Sequence, residues 1–109
     1  MFHMLSCLNL KPGVTIEEFR ESVAQFATRI QDLGLAEATG PIGRRQRHPI
    51  MDTDDERDHD YFFVMSFLDR EQCDRAVSYI QARNEPVESI HEAMWSKIAD
   101  PVFICWEDI

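Results

Sequence analysis

Apolar and polar residues alternate from the start of the chain. Phe2, Met4, Ser6, Leu8 and Leu10 fall on one side of an extended segment, with His3, Leu5, Cys7 and Asn9 on the other. Residues 2–10 therefore read as a strand. Lys11-Pro12-Gly13 ends it, because proline cannot donate to a ladder and glycine permits the turn. The period then changes. Ile16, Phe19, Val23, Phe26, Ile30 and Leu33 recur three and four apart, which predicts an amphipathic helix. Thr15 and Glu18 have capping-box spacing at its start, and Gly34 stops it as a left-handed cap.

Leu35 to Thr39 and Ile42 to Gln46 read as one strand kinked at Gly40-Pro41, at an edge or a bulge. An acid-rich stretch, 52–60, predicts a solvated, mobile loop. Its D-x-D-D-E start lacks the glycine and helical flanks of a calcium-binding EF-hand. Tyr61 to Leu68 is an almost continuously apolar strand. Asp69, with Gln72 three residues on, caps a helix whose stripe is Cys73, Ala76, Val77 and Ile80. Asn84-Glu85-Pro86 separates it from another helix bearing Val87, Ile90, Met94 and Ile98. Asp100-Pro101 breaks that helix, and Val102 to Trp106 closes as a strand.

The order strand, helix, strand, strand, helices, strand predicts an α+β ferredoxin-like βαββαβ sandwich. Its four-stranded antiparallel sheet carries helices on one face, in a single domain spanning 1–109. The helices can cover only that face, yet both sides of residues 61–68 are apolar: Tyr61, Phe63, Met65 and Phe67 on one, Phe62, Val64 and Leu68 on the other. Val102 to Trp106 repeats the pattern. Such a face left in water would be larger than monomers usually tolerate. The expectation is a homodimer through the open face of the sheet; the alternative is a loop folded across it.

Composition bounds the partners. The chain has 109 residues, 44% of them hydrophobic, and a net charge of −9, which disfavours nucleic acid and anionic membranes. No apolar run approaches a membrane span and the N-terminus lacks signal-peptide features, so a cytoplasmic location is expected. Cys7, Cys73 and Cys105 are widely spaced and read as buried thiols in a reducing compartment. No metal-ligand spacing links His3, His48, His59 and His91, and no nucleotide-binding fingerprint is present. Neither a metal nor a cofactor is expected.

The segment Leu10-Lys11-Pro12-Gly13-Val14-Thr15, followed by Ile16-Glu17-Glu18-Phe19, resembles the start of stress-responsive α/β-barrel proteins. The layout of the whole chain resembles the wider dimeric α/β-barrel superfamily, which includes antibiotic-biosynthesis-type and haem-degrading monooxygenases. The resemblance implies two sheets packed face to face across a dimer and a cleft between sheet and helices in each subunit. Stress-responsive members often carry His-Pro-x-His before the last helix. This chain reads Glu85-Pro86-Val87-Glu88, which keeps only the proline. Haem-degrading members use an Asn on the first strand, a Trp and a helical His. Here Asn9 sits too near the turn, no Trp stands at the matching place and His91 matches loosely, so haem degradation is not expected.

Several residues are candidates for chemistry. His91 and Trp95, four apart, share a helix face. His91 is a candidate catalytic base and Trp95 a ligand-binding wall; both could equally be boundary residues of an amphipathic helix. Tyr61 is placed in the same cleft. Arg44, Arg45, Arg47 and His48 form a basic cluster, and Arg45 could hold an anionic group of a ligand. The same cluster could pair with the acidic loop or guard an edge strand. His3 is either a ligand contact or a hydrogen-bonded structural histidine. Two functions follow: a cofactor-independent monooxygenase or isomerase acting on a small molecule in the cleft, or a non-catalytic homodimeric stress-response or ligand-binding module.

Overall fold

The computed structural model describes residues 1–109. Strand β1 (Phe2–Leu10) leads into helix α1 (Ile16–Asp32), the short strands β2 (Ala38–Thr39) and β3 (Gly43–Arg44), and β4 (Tyr61–Phe67). Helices α2 (Arg70–Gln81) and α3 (Val87–Trp95) and strand β5 (Ile98–Glu107) complete the chain. The antiparallel sheet runs β2-β4-β1-β5, with β3 beside β2 along the same edge of β4. This is the strand order of a ferredoxin-like sandwich.

The helix starts are as the capping pairs dictate. Thr15 Oγ1 accepts from the Glu18 amide, and an Asp69 carboxylate oxygen accepts from the Gln72 amide. Gln72 is itself buried and fully used: its carbonyl accepts from the Leu68 amide and its amide group donates to Gly34 O and Glu37 Oε1. It thereby ties the start of α2 to the end of α1. Gly34, at φ 70°, takes the left-handed conformation that ends α1.

The core lies between helices and sheet. Phe19, Phe26 and Ile30 of α1 pack against Leu8 of β1 and Phe63, Met65 and Phe67 of β4. The rings of Phe19 and Phe63 meet edge to face with centroids 6.3 Å apart. No helix is long and apolar enough to cross a membrane.

Three elements differ from the sequence reading. The kinked strand is two short pieces, because Pro41-Ile42 interrupts the ladder between them, with Gly40 still donating to Val64 O of β4 at 2.7 Å. Helix α3 ends at Trp95, and Ile98 opens β5 instead of closing the helix. Asp100-Pro101 does not break the last strand but bulges it. Cys7 faces Val102 while Asn9 faces Ala99, leaving two residues of β5 opposite Leu8. Proline removes the ladder donor there, and Asp100 turns the chain at φ 54°.

The second face of the sheet is only partly open. Directly paired residues share a face, so Leu5, Val64 and Ile104 form one apolar row there, and Cys7, Phe62 and Val102 the next. Ile104 and Trp106 are 41% and 42% exposed, whereas Cys7 is only 1% exposed. The stretch 45–60 folds back over the Cys7 end. Asn9 donates to Asp58 O and accepts from the Asp60 amide, and His59 bonds Asp100 O at 2.6 Å. The acidic segment is therefore hydrogen-bonded to the sheet as a cover over that end, although most of its side chains face solvent as its composition suggests. A loop covers one end of this face, and the other end is an uncovered apolar surface.

Candidate functional site: the sheet–helix cleft

Helices α2 and α3 leave a gap over the sheet. It forms a cleft of about 270 Å³ lined by sixteen residues, fourteen of them apolar; the exceptions are Ser6 and His91. The floor comes from the inward residues of β1, β4 and β5, including Met4, Phe63 and Phe103. The roof comes from Cys73, Ala76 and Ile80 of α2 and from α3. Burial pushes the Cys73 thiol above its usual range, which disfavours the thiolate. A larger, shallow groove between α1 and Ile90 of α3 is bordered mainly by polar residues, among them Glu21, Gln25, Arg29 and Asp32.

Helical spacing brings His91 and Trp95 together on the cleft wall. Their rings stack at 6.3 Å and 11°, and Trp95 stacks on Phe103 of β5 at 6.1 Å and 18°. The Phe26 ring of α1 lies 5.4 Å from His91, tilted by 53°. The ladder of rings fixes the imidazole at the cleft wall without burying it completely.

The other sequence candidates stand elsewhere. Tyr61 packs at the edge of the core under the guanidinium of Arg44, 5.8 Å from its ring centroid, and does not line the cleft. Arg45 organises the loop. Its Nε and Nη2 hold both oxygens of Asp52 at 2.7 Å, Nη2 also donates to Asp54 O at 2.6 Å, and Nη1 donates to Arg57 O. Arg47 pairs with Asp58, Arg57 with Asp54, and His48 Nδ1 accepts from the Ile50 and Met51 amides. Arg45 and Arg47 of the basic cluster are thus spent on the acidic segment. His3 lies on the open face, bonded to Ser66 Oγ at 2.8 Å and Asp108 Oδ1 at 2.9 Å, with the Trp106 ring beside it, tilted by 31° at 5.1 Å. That contact holds the Asp108 carboxyl below its usual range. No group of three or more His, Cys, Asp or Glu side chains is placed to hold a metal ion.

Cys7 and Cys73 are covered to different degrees, whereas Cys105 is exposed on β5, contrary to the expectation of three buried thiols. Strand alternation placed it correctly, but β5 is an edge strand with no neighbour to cover it.

One cleft residue escapes sequence reasoning. Ser6 stands among Phe2, Met4, Leu8 and Leu10 on the helix-facing side of β1. A single serine in an apolar row is the only signal of it, and a small residue there also satisfies ordinary packing.

No protein-family model matches the sequence, and no curated protein is similar to it. Solved structures share its fold. The Arabidopsis thaliana protein At3g17210 superposes with a TM-score of 0.74 at 12% identity, covering 100% of this chain and 96% of that one. A dimeric ferredoxin-like protein of unknown function from Jannaschia sp. CCS1 gives 0.67 at 14% identity, covering 98% of each chain. An antibiotic biosynthesis monooxygenase gives 0.63 at 13% identity, covering 100% of this chain and 99% of its own. At such identities the likeness establishes the ferredoxin-like fold.

Proposed function

We propose that the chain is a homodimer through the uncovered part of its sheet, and that each copy binds a small, largely apolar molecule in the sheet–helix cleft. His91 is the group that would move a proton on that molecule. The observation that carries this reading is the cleft itself, a 270 Å³ space with an apolar lining and only two polar side chains, one of them an imidazole. Pockets that bind small molecules have this composition, an apolar wall with few polar groups. Histidine is the side chain best suited to taking and returning a proton near neutral pH. The apolar row Leu5, Val64 and Ile104 supports the dimer, as does the description of the Jannaschia protein as dimeric. The monooxygenase likeness supports chemistry in the cleft by analogy of fold alone.

Binding is tested with 1-methylnaphthalene followed by NMR. The indole resonance of Trp95 is expected to move and that of Trp106 to stay. Ala76 is buried in the cleft roof, so Ala76→Phe fills the space from within. It is expected to weaken the probe by at least about tenfold, since the apolar contact area is taken by the new ring. Unchanged affinity in a folded Ala76→Phe protein would remove the cleft as the site.

Removing a proton from a carbon acid is a first step that an isomerase and a cofactor-independent oxygenase can share. 2-Tetralone, a small neutral ketone with acidic C–H bonds, reports on it. In heavy water the protein is expected to speed deuterium uptake into bound 2-tetralone, and His91→Ala to lower that rate by about 10²-fold. The predominance of apolar lining favours the other reading, a non-catalytic binding module. Bound 2-tetralone with no acceleration would establish it.

A further inference from the structure

Within the cleft, Ser6 carries a polar atom that the fold leaves unused. The residue is 1% exposed, and its Oγ has no hydrogen-bond partner in the chain. Buried polar groups are nearly always paired, because a lost bond to water is not otherwise replaced. Ser6 sits on the central strand of the sheet, directly between Phe63 of β4 and Phe103 of β5. All three residues line the cleft. The hydroxyl is therefore set in the middle of an aromatic floor, where alanine would pack without leaving a polar atom unsatisfied. The other two buried unpaired atoms, Thr39 Oγ1 and His59 Nδ1, belong to residues outside this cleft.

We propose that Ser6 is the positioning residue of the cleft: its hydroxyl receives the single polar group, a hydroxyl or carbonyl oxygen, of an otherwise apolar and uncharged ligand. The proposal rests on the reading that the cleft takes a small apolar molecule. The charge of the ligand follows from the lining, which contains no Lys, Arg, Asp or Glu. An ionised group placed there would lose its hydration and meet no permanently charged side chain, His91 being the only titratable nitrogen in the lining. Its size follows from the volume, 270 Å³, just under the range of about 300–1,000 Å³ that drug-sized molecules occupy. A serine hydroxyl both donates and accepts, so it serves an alcohol or a ketone equally. The ligand would supply the partner that the folded chain lacks.

The test uses two probes of one shape, 1-naphthol and 1-methylnaphthalene, measured by calorimetry on the whole protein. The readout is the ratio of their affinities, which cancels packing common to both. Ser6→Ala is expected to reduce the relative preference for 1-naphthol by about fivefold to tenfold, the size of one hydrogen bond. Binding of 1-methylnaphthalene is expected to stay or tighten, and the ligand-free variant to melt no lower than the wild type. Ser6→Thr and Ser6→Val form a second, volume-matched pair that differs in the hydroxyl. Threonine is expected to keep the preference and valine to lose it. An unchanged ratio in Ser6→Ala or Ser6→Val would overturn the role of Ser6 while leaving the cleft reading intact. Equal loss of both probes in a folded variant would do the same, because it would mark Ser6 as structural. If neither probe bound the wild-type protein, the cleft reading itself would fall and Ser6 with it.

Discussion

Replacing Arg45 by methionine is expected to expose the thiol of Cys7. Methionine keeps much of the apolar stem and removes the guanidinium. Arg45 is 9% exposed at its side chain and holds both oxygens of Asp52 together with the carbonyls of Asp54 and Arg57. No other single side chain reaches so many points of the 45–60 segment. Without it, the carboxylate and both carbonyls lose their partner together, and the segment opens locally instead of unfolding the sheet. Cys7 points to that side of the sheet and lies close enough to feel the charges of Arg57, Asp54 and Arg45. Its reaction with 4,4′-dithiodipyridine, followed by mass spectrometry of the Cys7 peptide, should accelerate by about 10²-fold or more as the cover opens. A thiol that stays protected would show that the Asn9 and His59 contacts hold the cover unaided.

Acid should do to the wild-type protein what the substitution does at neutral pH. The hydrogen bond from Arg45 holds the Asp52 carboxyl below its ordinary range, and Arg57 does the same for Asp54. The unfolded chain then binds these protons more readily than the folded one. The stabilisation is complete above the ordinary aspartate value of about 3.9 and is lost as pH falls through the lower folded values. Protection of Cys7 should therefore be flat from neutral pH down to about 5 and fail in stronger acid.

Ile104→Asp is expected to convert the proposed dimer to monomers. Ile104 lies in the apolar row with Leu5 and, through β1, Val64, on the part of the sheet that the loop does not cover. In a two-fold dimer each substitution enters the interface twice, and each carboxylate would be buried without a partner. The dissociation constant should rise by about 10²- to 10³-fold in sedimentation velocity. The subunit itself should stay folded, since Ile104 is 41% exposed in the isolated chain. Leu33, 42% exposed at the end of α1, is the control. Leu33→Asp should leave assembly unchanged because it lies in the helical layer. A wild-type protein that sediments as a monomer at micromolar concentration would refute the interface.

Local chemistry was the legible part of the chain. Thr15 and Asp69 start their helices because a side-chain oxygen and an amide three residues away meet by short-range geometry. The alternation of residues 2–10 and 61–67 sorts each side chain to one face of the sheet, which a two-residue period alone can do. His91 and Trp95 reach one wall for the same reason, one helical turn apart. Long-range pairing was not legible. Arg45 reads either as a ligand contact or as a partner of the acidic loop; the fold sets it against Asp52, and no periodicity chooses between the two. The bulge at Asp100 was hidden because Asp-Pro reads as a break, whereas β1 and His59 hold the chain in the sheet on either side of it. Ser6 was visible but mute. Its significance depends on a missing partner, and only packing reveals that.

The alternation within β1 makes this strand a wall one peptide thick. Ser6 faces the cleft, while its neighbours Leu5 and Cys7 face the opposite side. A single inserted residue early in β1 would rotate every later side chain through the wall. Leucine would then occupy the hydroxyl's place, serine would enter the apolar outer row, and ligand recognition and self-association would fail from the same change. Evolution cannot tune the two surfaces of this strand by sliding it; it can do so only by exchanging side chains one at a time, odd positions for the outer face and even positions for the helix side.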